Sequence, residues 1–515
     1  MSPVNLKKMQ NSSGNKKIAI NTIYMYIRLF VTMAIGLYTS RIVLLVLGVS
    51  DYGLFNVVGG VLAIFGFITG SLGGATSRFL NAEMGKKGGD VNKAFNINQT
   101  LHIILAGIIF ILAETIGLWY VYNKLQVASG KLPDALFVYQ LSIFTTCAGI
   151  INTPCASIFS AKEKFGFISA LDIANTLIRL LCVIALQYYN GNSLRFYTVI
   201  FCLTTVNSFV IFHWMAYRWW PEIIKFKIIR GWKYYKPVLS FGSWNLLSTV
   251  SMMARSSGSD LIINAFFGTA TNGAFAISKS VSNYVVSLSS NFDGASAPQI
   301  IQSYNAGDMD RCYYLVNKMG RFCLLLFELV LFPVFIELDF LLHLWLKVVP
   351  EDVLLLCQLN FVLAAVALTG GGIALFINAT GKIKWFKIQL SIFYLTCLPV
   401  GYILYSHGYP AYTMMILFII ADALQRIVQL ILLKTILGFD SLRFIKEAYL
   451  RPFMVAIIMS ILIYSYSCLI IDSLWLKLMA IIVCASITAI LVFKIGLTRE
   501  EKNKVILLIQ NKIKR

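Results

Sequence analysis

Apolar runs of about twenty residues or more, broken only by short polar connections, recur from one end of the chain to the other. A helix that crosses a bilayer needs about 20 mostly apolar residues, whereas a barrel strand needs only about 9–11. The runs therefore predict helices, because in lipid each backbone polar group must find its partner within the segment. Spans are predicted near residues 18–47, 54–80, 96–122, 135–160, 166–189, 195–217, 238–265, 272–300, 318–340, 353–380, 385–406, 411–433, 451–471 and 475–493. That is an all-α polytopic membrane protein of about 14 helices. The connections leave no room for a soluble catalytic domain. Whatever the protein does, polar side chains set into the spans must do it, which favours transport over bond chemistry.

The chain repeats itself at an offset of about 219 residues. Gly48 to Gly53 with Phe55 aligns with Gly268 to Gly273 with Phe275. Gly89-Asp90 answers Gly307-Asp308, Gln140-Leu141 answers Gln358-Leu359, and the segment from Ala161 to Phe167 answers that from Thr380 to Phe386. Six spans per copy is an even number, so the copies are parallel repeats about an axis along the membrane normal. The expected organisation is an N-lobe over 1–217, a basic and aromatic linker over 218–237, a C-lobe over 238–434, two further spans over 435–494 and a tail over 495–515. Two six-helix lobes would enclose a central cavity, with the last two helices outside the duplication. Alternating access by rocking of the lobes follows from such a plan.

Composition sharpens this picture. Of 515 residues, 58% are hydrophobic and 13% charged, against about 25% charged in soluble domains. The net charge of +21 would suggest nucleic acid in a soluble protein. Here it follows the positive-inside rule. With the N-terminus in the cytoplasm, and each connection counted together with the first three residues of the span that follows it, the inside segments carry 31 of the 44 Lys and Arg and the outside loops 5. Both termini are expected in the cytoplasm, and no nucleic-acid partner is expected. No cleavable signal peptide is expected, since Lys7, Lys8, Lys16 and Lys17 lead straight into a long span. In the linker Arg218 to Lys236, interleaved aromatics and cations suit the headgroup layer. Thr498 and Glu501 have capping-box spacing, and Val505, Leu508 and Ile509 with Lys504 and Lys512 suggest an amphipathic surface helix. Ten cysteines, among them Cys147, Cys155, Cys182 and Cys323, are scattered without metal spacing. The histidines His102, His213, His343 and His407 are isolated and read as packed or interfacial. No phosphate loop, HExxH or nucleophile elbow is present. Neither an enzyme, a cofactor nor a metal is expected.

The ionisable groups within spans carry the remaining information, because they are costly in lipid unless paired or functional. The cations are Arg28, Arg41, Arg78, Arg179, Arg255, Lys279, Arg321 and Arg426; the anions are Glu114, Asp172, Asp260, Asp293, Glu328 and Asp422. Arg78 and Arg321 lie near cytoplasmic span ends and can snorkel. Asp422 and Arg426, spaced i,i+4, are expected to pair, and Asp172 shares a face with Arg179. Arg255 has no anion three or four residues away; Asp260 is its nearest candidate. Around it Asn245, Ser248, Ser251 and Ser259 fall on one face, and Asn272, Ser282, Asn283, Ser290 and Asp293 fall around Lys279. Such stripes either glue helices together or line a wet, positively charged cavity. A cationic cavity suits an anionic cargo.

Fourteen spans, the six-plus-six repeat and cations on spans one, seven and eight resemble the multidrug/oligosaccharidyl-lipid/polysaccharide exporter superfamily. The stretches LGVSDYGLFNVVGG (Leu47–Gly60) and GSLGGATSRFLNAEMGKKG (Gly70–Gly88) resemble the start of its Wzx-type O-antigen and polysaccharide flippases. The resemblance implies a MATE- or MurJ-like fold in a bacterial inner membrane. It also implies movement of undecaprenyl-diphosphate-linked oligosaccharide to the periplasmic leaflet, for O-antigen, capsule or exopolysaccharide synthesis. Substrate contact would then fall to Arg28, Arg255 and Lys279, with Arg78 and Arg179 beside them. Asn245, Ser248, Ser251, Ser282, Asn283 and Ser290 would line the cavity, and Asp293, Asp260 and Asp172 would be available for coupling. The expected partners are the lipid-linked oligosaccharide and membrane lipid, with a polysaccharide polymerase and a chain-length regulator nearby; a monomer is expected. The competing readings are a drug or cation antiporter of the same superfamily, a membrane-embedded polymerase or ligase, and a scaffold. An antiporter for organic cations would want an acidic cavity, a polymerase a large periplasmic loop, and the longest outside loop here runs only from Asn123 to Asp134.

Overall fold

The computed structural model describes residues 3–123, 130–346, 352–467 and 473–503, with 506 and 510; the side chains of 3–16, and of most residues between 48 and 69, are outside that description. Among the described residues all regular structure is helical. Among the described residues nine helices are long and apolar enough to cross a membrane, and one bent pair of helices, taken together, makes a tenth span. Most match an expected span to within a few residues. The fourteen of the hydropathy pattern are not all reached. The missing ones fall in α1 (Pro3–Gly85) and in α6 (Trp232–Met253) with α7 (Ser259–Asn305), where many side chains lie outside the described residues and polar residues interrupt the apolar windows of the rest.

The chain divides into two compact units. The first holds residues 1–249 and 301–308, the second 250–300 and 309–515. The boundary thus falls inside α6 rather than in the linker.

In the first unit, α1 is followed by α2 (Val91–Asn123), α3 (Leu132–Ala161), α4 (Phe165–Leu186) and α5 (Ser193–Trp219). As one straight rod the 83 residues of α1 would be about 125 Å long at 1.5 Å per residue. Its packing forbids that. Tyr24 lies against Gly166, and Leu80 clusters with Ile158 and Ala161, all beside the turn that joins α3 to α4. Ile42, Leu47 and Phe55 instead cluster with Val121, Val138 and Leu194, at the other end of the same helices. The arm ending at Leu47 and the arm starting at Phe55 therefore run antiparallel.

α7 shows the same device in the second unit. Gly268 has φ 80° and ψ −174°, which only glycine adopts at no cost. Across it Lys279 reaches Asp260 at 2.6 Å. Nineteen residues along an unbroken helix would separate them by about 28 Å. Gly268 is the residue that the internal repeat aligns with Gly48. Gly307 (φ 77°) turns the chain by a left-handed residue, and in the first copy that conformation falls on Gly88 (φ 73°), one residue before the Gly89 that the repeat aligns with it.

The second unit continues with α8 (Met309–Ile336), α9 (Val353–Leu368), α10 (Ile373–Thr380), α11 (Lys384–Ser406), α12 (Thr413–Leu437), α13 (Ser441–Ser467) and α14 (Leu474–Gly496). α9 and α10 are one span bent by 41° at Gly370-Gly371-Gly372. A break in a span frees carbonyls that lipid cannot satisfy. Arg426 of α12 supplies the donors: its Nε donates to Thr369 Oγ1 at 3.1 Å and its Nη2 to Ala367 O at 3.1 Å. Tyr449 donates its hydroxyl to Thr369 O. The Arg426 guanidinium lies where a Cβ on Gly370 would stand, so that glycine is needed for the close approach. α13 and α14 pack on α8 through Leu325, Phe332, Val455, Met459 and Cys484.

The linker is held rather than loose. Asn92 Nδ2 donates to Ile223 O and Lys225 O, and Lys227 N donates to Asn96 Oδ1, at 2.8–2.9 Å. Trp219 and Trp220 pack on Phe159. Phe226, Ile228 and Trp232 stay more than half exposed, as suits a segment at the headgroup level. The expected capping box forms: Thr498 N donates to Glu501 Oε2 at 2.9 Å and Glu501 N to Thr498 Oγ1 at 3.4 Å. Val505, Leu508, Ile509, Lys504 and Lys512 of the tail lie outside the described residues.

Candidate functional site

Each unit holds a polar cavity. In the first unit Asp172, Asn175, Thr176 and Arg179 follow at i, i+3, i+4 and i+7, one face of α4. Thr204, Thr205 and Ser208 of α5, Arg28 and Thr32 of α1 and Asn152 of α3 complete a cavity of about 430 Å³. Arg28 Nη1 lies 2.9 Å from Asp172 Oδ2, with the two side chains 27% and 43% exposed. Arg179 donates to Thr204 Oγ1 at 3.2 Å and stacks 4.6 Å above the Phe201 ring. Its Nε is buried with no partner, as is Asn152 Oδ1. Asn207 donates to Asn175 Oδ1, and Asn175 to Ser208 Oγ, both at 2.8 Å, a relay of amides and hydroxyls along the wall.

In the second unit Arg255 sits in a single π-helical turn, Ala254–Gly258. Such turns are widened by one residue and recur at functional sites. Ser256, Ser257 and Gly258, weak helix formers, follow directly. The guanidinium lies between the rings of Tyr394 (4.4 Å) and Phe418 (4.2 Å), and its Nη1 is 2.5 Å from Asp422 Oδ1. Lys279, Ser282, Asn283 and Asn360 line the same cavity of about 380 Å³. Ser282 Oγ donates to Asn360 O at 3.4 Å, and Asn360 Nδ2 to Ser278 Oγ at 2.7 Å.

Two pairings differ from those expected from spacing. Asp422 pairs with Arg255 and not with Arg426, because Arg426 is drawn to the broken end of α9. Asp172 pairs with Arg28 rather than with Arg179 on its own face. Arg255, with no anion on its own helix, has one from α12. In each case the partner comes from a different helix, which periodicity along one helix does not reveal.

The other expected site residues are spread more widely. Arg78 is stacked on Phe79 and Phe241, 4.7 and 5.0 Å from the ring centres, and lines neither cavity. Asn245 and Ser248 belong to the first unit, where Ser248 Oγ donates to Asn245 O; Ser251 belongs to the second and is buried. The Asn245 stripe is therefore split between units, and none of these three lines either cavity. Asp260 holds Lys279. The side chains of Ser290, Asp293 and Arg41 lie outside the described residues. Each histidine turns its Nδ1 to a carbonyl of its own helix, one turn back. Among the described residues no cluster of His, Cys, Asp and Glu could hold a metal ion. Tyr394 and Phe418, which sandwich Arg255, carried no signal in the sequence, since an aromatic in a span is ordinary. Asn175 and Ser208 could have been found, because Asn175 continues the face of Asp172.

Known proteins bear on this arrangement. No curated protein matches the chain in sequence. Solved structures match its fold. An outward-facing multidrug resistance MATE family transporter of the MOP superfamily superposes with a TM-score of 0.69 at 14% identity, covering 81% of this chain and 94% of its own. A MOP superfamily transporter from Pyrococcus furiosus, described as having a binding pocket of reverse polarity, gives 0.66 at 14% identity over 81% and 94%. A Vibrio cholerae MATE transporter gives 0.66 at 15% identity over 84% and 99%. At such identities the likeness is one of fold. The sequence itself matches the family described as polysaccharide biosynthesis protein over residues 43–338, more than half of its length. The chain is thus a multi-pass membrane protein that belongs to the polysaccharide biosynthesis protein family, built on the fold of MATE transporters.

Proposed function

We propose that the protein moves an undecaprenyl-diphosphate-linked oligosaccharide from the cytoplasmic to the periplasmic leaflet of a bacterial inner membrane, by alternating access, with both termini in the cytoplasm. The polymer served would be O-antigen, capsule or exopolysaccharide. The observation that carries this reading is the first unit's cavity, where two guanidiniums face one carboxylate on a wall of amides and hydroxyls. A diphosphate offers acceptors only, and arginine offers donors only. Sugar hydroxyls both donate and accept, and Asn, Ser and Thr answer both. An organic cation would find no net negative charge there. The second unit's cavity is lined by two cations and one carboxylate, and Asp260 beside it brings it to neutrality; it adds the aromatic faces of Tyr394 and Phe418.

The test is translocation of a lipid-linked oligosaccharide in proteoliposomes. Arg179→Ala should abolish it at normal protein level, and Arg179→Lys should restore part of it, since charge without the planar fork remains. Unchanged transport in both, at normal level, would remove the reading.

A further inference from the structure

A second basic site lies away from both cavities, where α8, α13 and the segment after α14 meet. It is a cavity of about 650 Å³. Lys318, Arg321, Lys446, Arg451 and Arg499 line it, against Glu447, Glu500 and Glu501. Two of those carboxylates are already committed. Glu501 holds Arg321 Nη2 at 2.5 Å with both side chains about nine-tenths buried, and Glu447 holds Arg443, outside the cavity, and Asn317 on its wall. The floor of the site still lacks acceptors: Arg321 Nε is buried with no hydrogen-bond partner. At the rim Lys446 and Arg499 are exposed.

The wall of the cavity runs into an apolar stripe. Leu450 lines it and is 57% exposed. From there Phe453, Met454, Ile457 and Ile461 follow at helical spacing along α13, each 44–60% exposed. A cationic hollow continuous with an apolar helix face fits a ligand with an anionic head and apolar tails. A soluble anion would use the hollow and leave the stripe uncovered.

We infer that this junction of α8, α13 and the tail is a binding site for a phosphate-headed membrane lipid, with the head among Lys446, Arg499 and Lys318 and the acyl chains along Leu450 to Ile461. The tail is part of the site, because Glu501 anchors it to Arg321 and Arg451 Nη1 donates to Leu497 O at 2.6 Å. Lipid would therefore clamp the tail onto α8 and α13.

The experiment uses the full chain in detergent and follows thermal stability on adding phosphatidylglycerol, phosphatidylcholine or inorganic phosphate. Phosphatidylglycerol should stabilise it and the other two should not. The exposed pair Lys446→Gln/Arg499→Gln should weaken the phosphatidylglycerol effect at least tenfold in lipid concentration, on about a kcal/mol per basic residue near an anionic surface. The control pair Lys382→Gln/Lys384→Gln, at the start of α11, should leave it unchanged. Equal loss in the control would mean that net charge and not this site is read. Full retention in the Lys446/Arg499 pair would overturn the site. Equal stabilisation by inorganic phosphate would overturn the lipid as its occupant.

Discussion

Arg255 and Asp422 form an ion pair across two helices, 2.5 Å apart, with side chains only 10% and 9% exposed and aromatic rings on both faces of the guanidinium. The pairs at the other cavity cations are different in kind. Arg28–Asp172 and Lys279–Asp260 are a quarter to two-fifths exposed. Burial decides what each pair can do. A buried charge that loses its partner costs about 3–5 kcal/mol, whereas an exposed pair contributes about 0–1 kcal/mol.

The buried pair should therefore behave as a structural unit. Asp422→Ala should lower the amount of folded protein sharply, because it strands Arg255. The double change Arg255→Met/Asp422→Leu should recover the level, since it removes both charges at similar volume. Fluorescence size-exclusion profiles would read this. A double variant no better than Asp422→Ala would show that the two residues do not act together.

The exposed pair Arg28–Asp172 should instead be exchangeable. A phosphate entering the cavity must take Arg28 from Asp172, so the carboxylate competes with cargo. Asp172→Asn should tighten binding of a diphosphate-headed lipid by roughly fivefold, the worth of an exposed pair of about 1 kcal/mol. Arg28→Ala should weaken it. Binding measured by native mass spectrometry would decide, and an Asp172→Asn protein with wild-type affinity would contradict the competition.

A third expectation concerns the broken span. Arg426 closes the end of α9, and its guanidinium needs the space that Gly370 leaves. Gly370→Val should displace it and break its bonds to Ala367 O and Thr369 Oγ1, with a loss of folded protein comparable to Arg426→Ala. The two losses should not add, because both act on one contact. Additive loss would separate them.

Much of this architecture was legible in the chain. Hydropathy located most spans to within a few residues, because twenty apolar residues admit little but a helix in lipid. The alignment of Gly48 with Gly268 marked where α7 reverses. Cation positions were legible too, but their partners were not. Asp422 lies 167 residues from Arg255 and Asp172 lies 144 from Arg28, and periodicity speaks only of neighbours on one helix. The i,i+4 pairing of Asp422 with Arg426 failed for the same reason: a broken helix elsewhere had a stronger claim on the arginine. The stripe around Asn245 was real as a pattern, yet Ser248 turns its hydroxyl to its own backbone, which spacing alone does not reveal.

Within the first unit, the end of α1 meets the end of α7. Gln302 Nε2 donates to Asn81 Oδ1 and to Ala161 O, both at 2.9 Å, and Gly85 lies against the Gln302 backbone so closely that a Cβ there would collide. Phe79 and Phe241 pack edge to face beside it. If transport requires these segments to part, locking them must stop it. In a protein freed of its native cysteines, the pair Asn81→Cys/Gln302→Cys should cross-link, because the two side chains already meet at 2.9 Å. Transport should fall to background on oxidation and return on reduction. Each single cysteine variant should transport under both conditions. A fully cross-linked protein that still moves its cargo would mean that these ends stay together throughout the cycle, and that any opening occurs elsewhere.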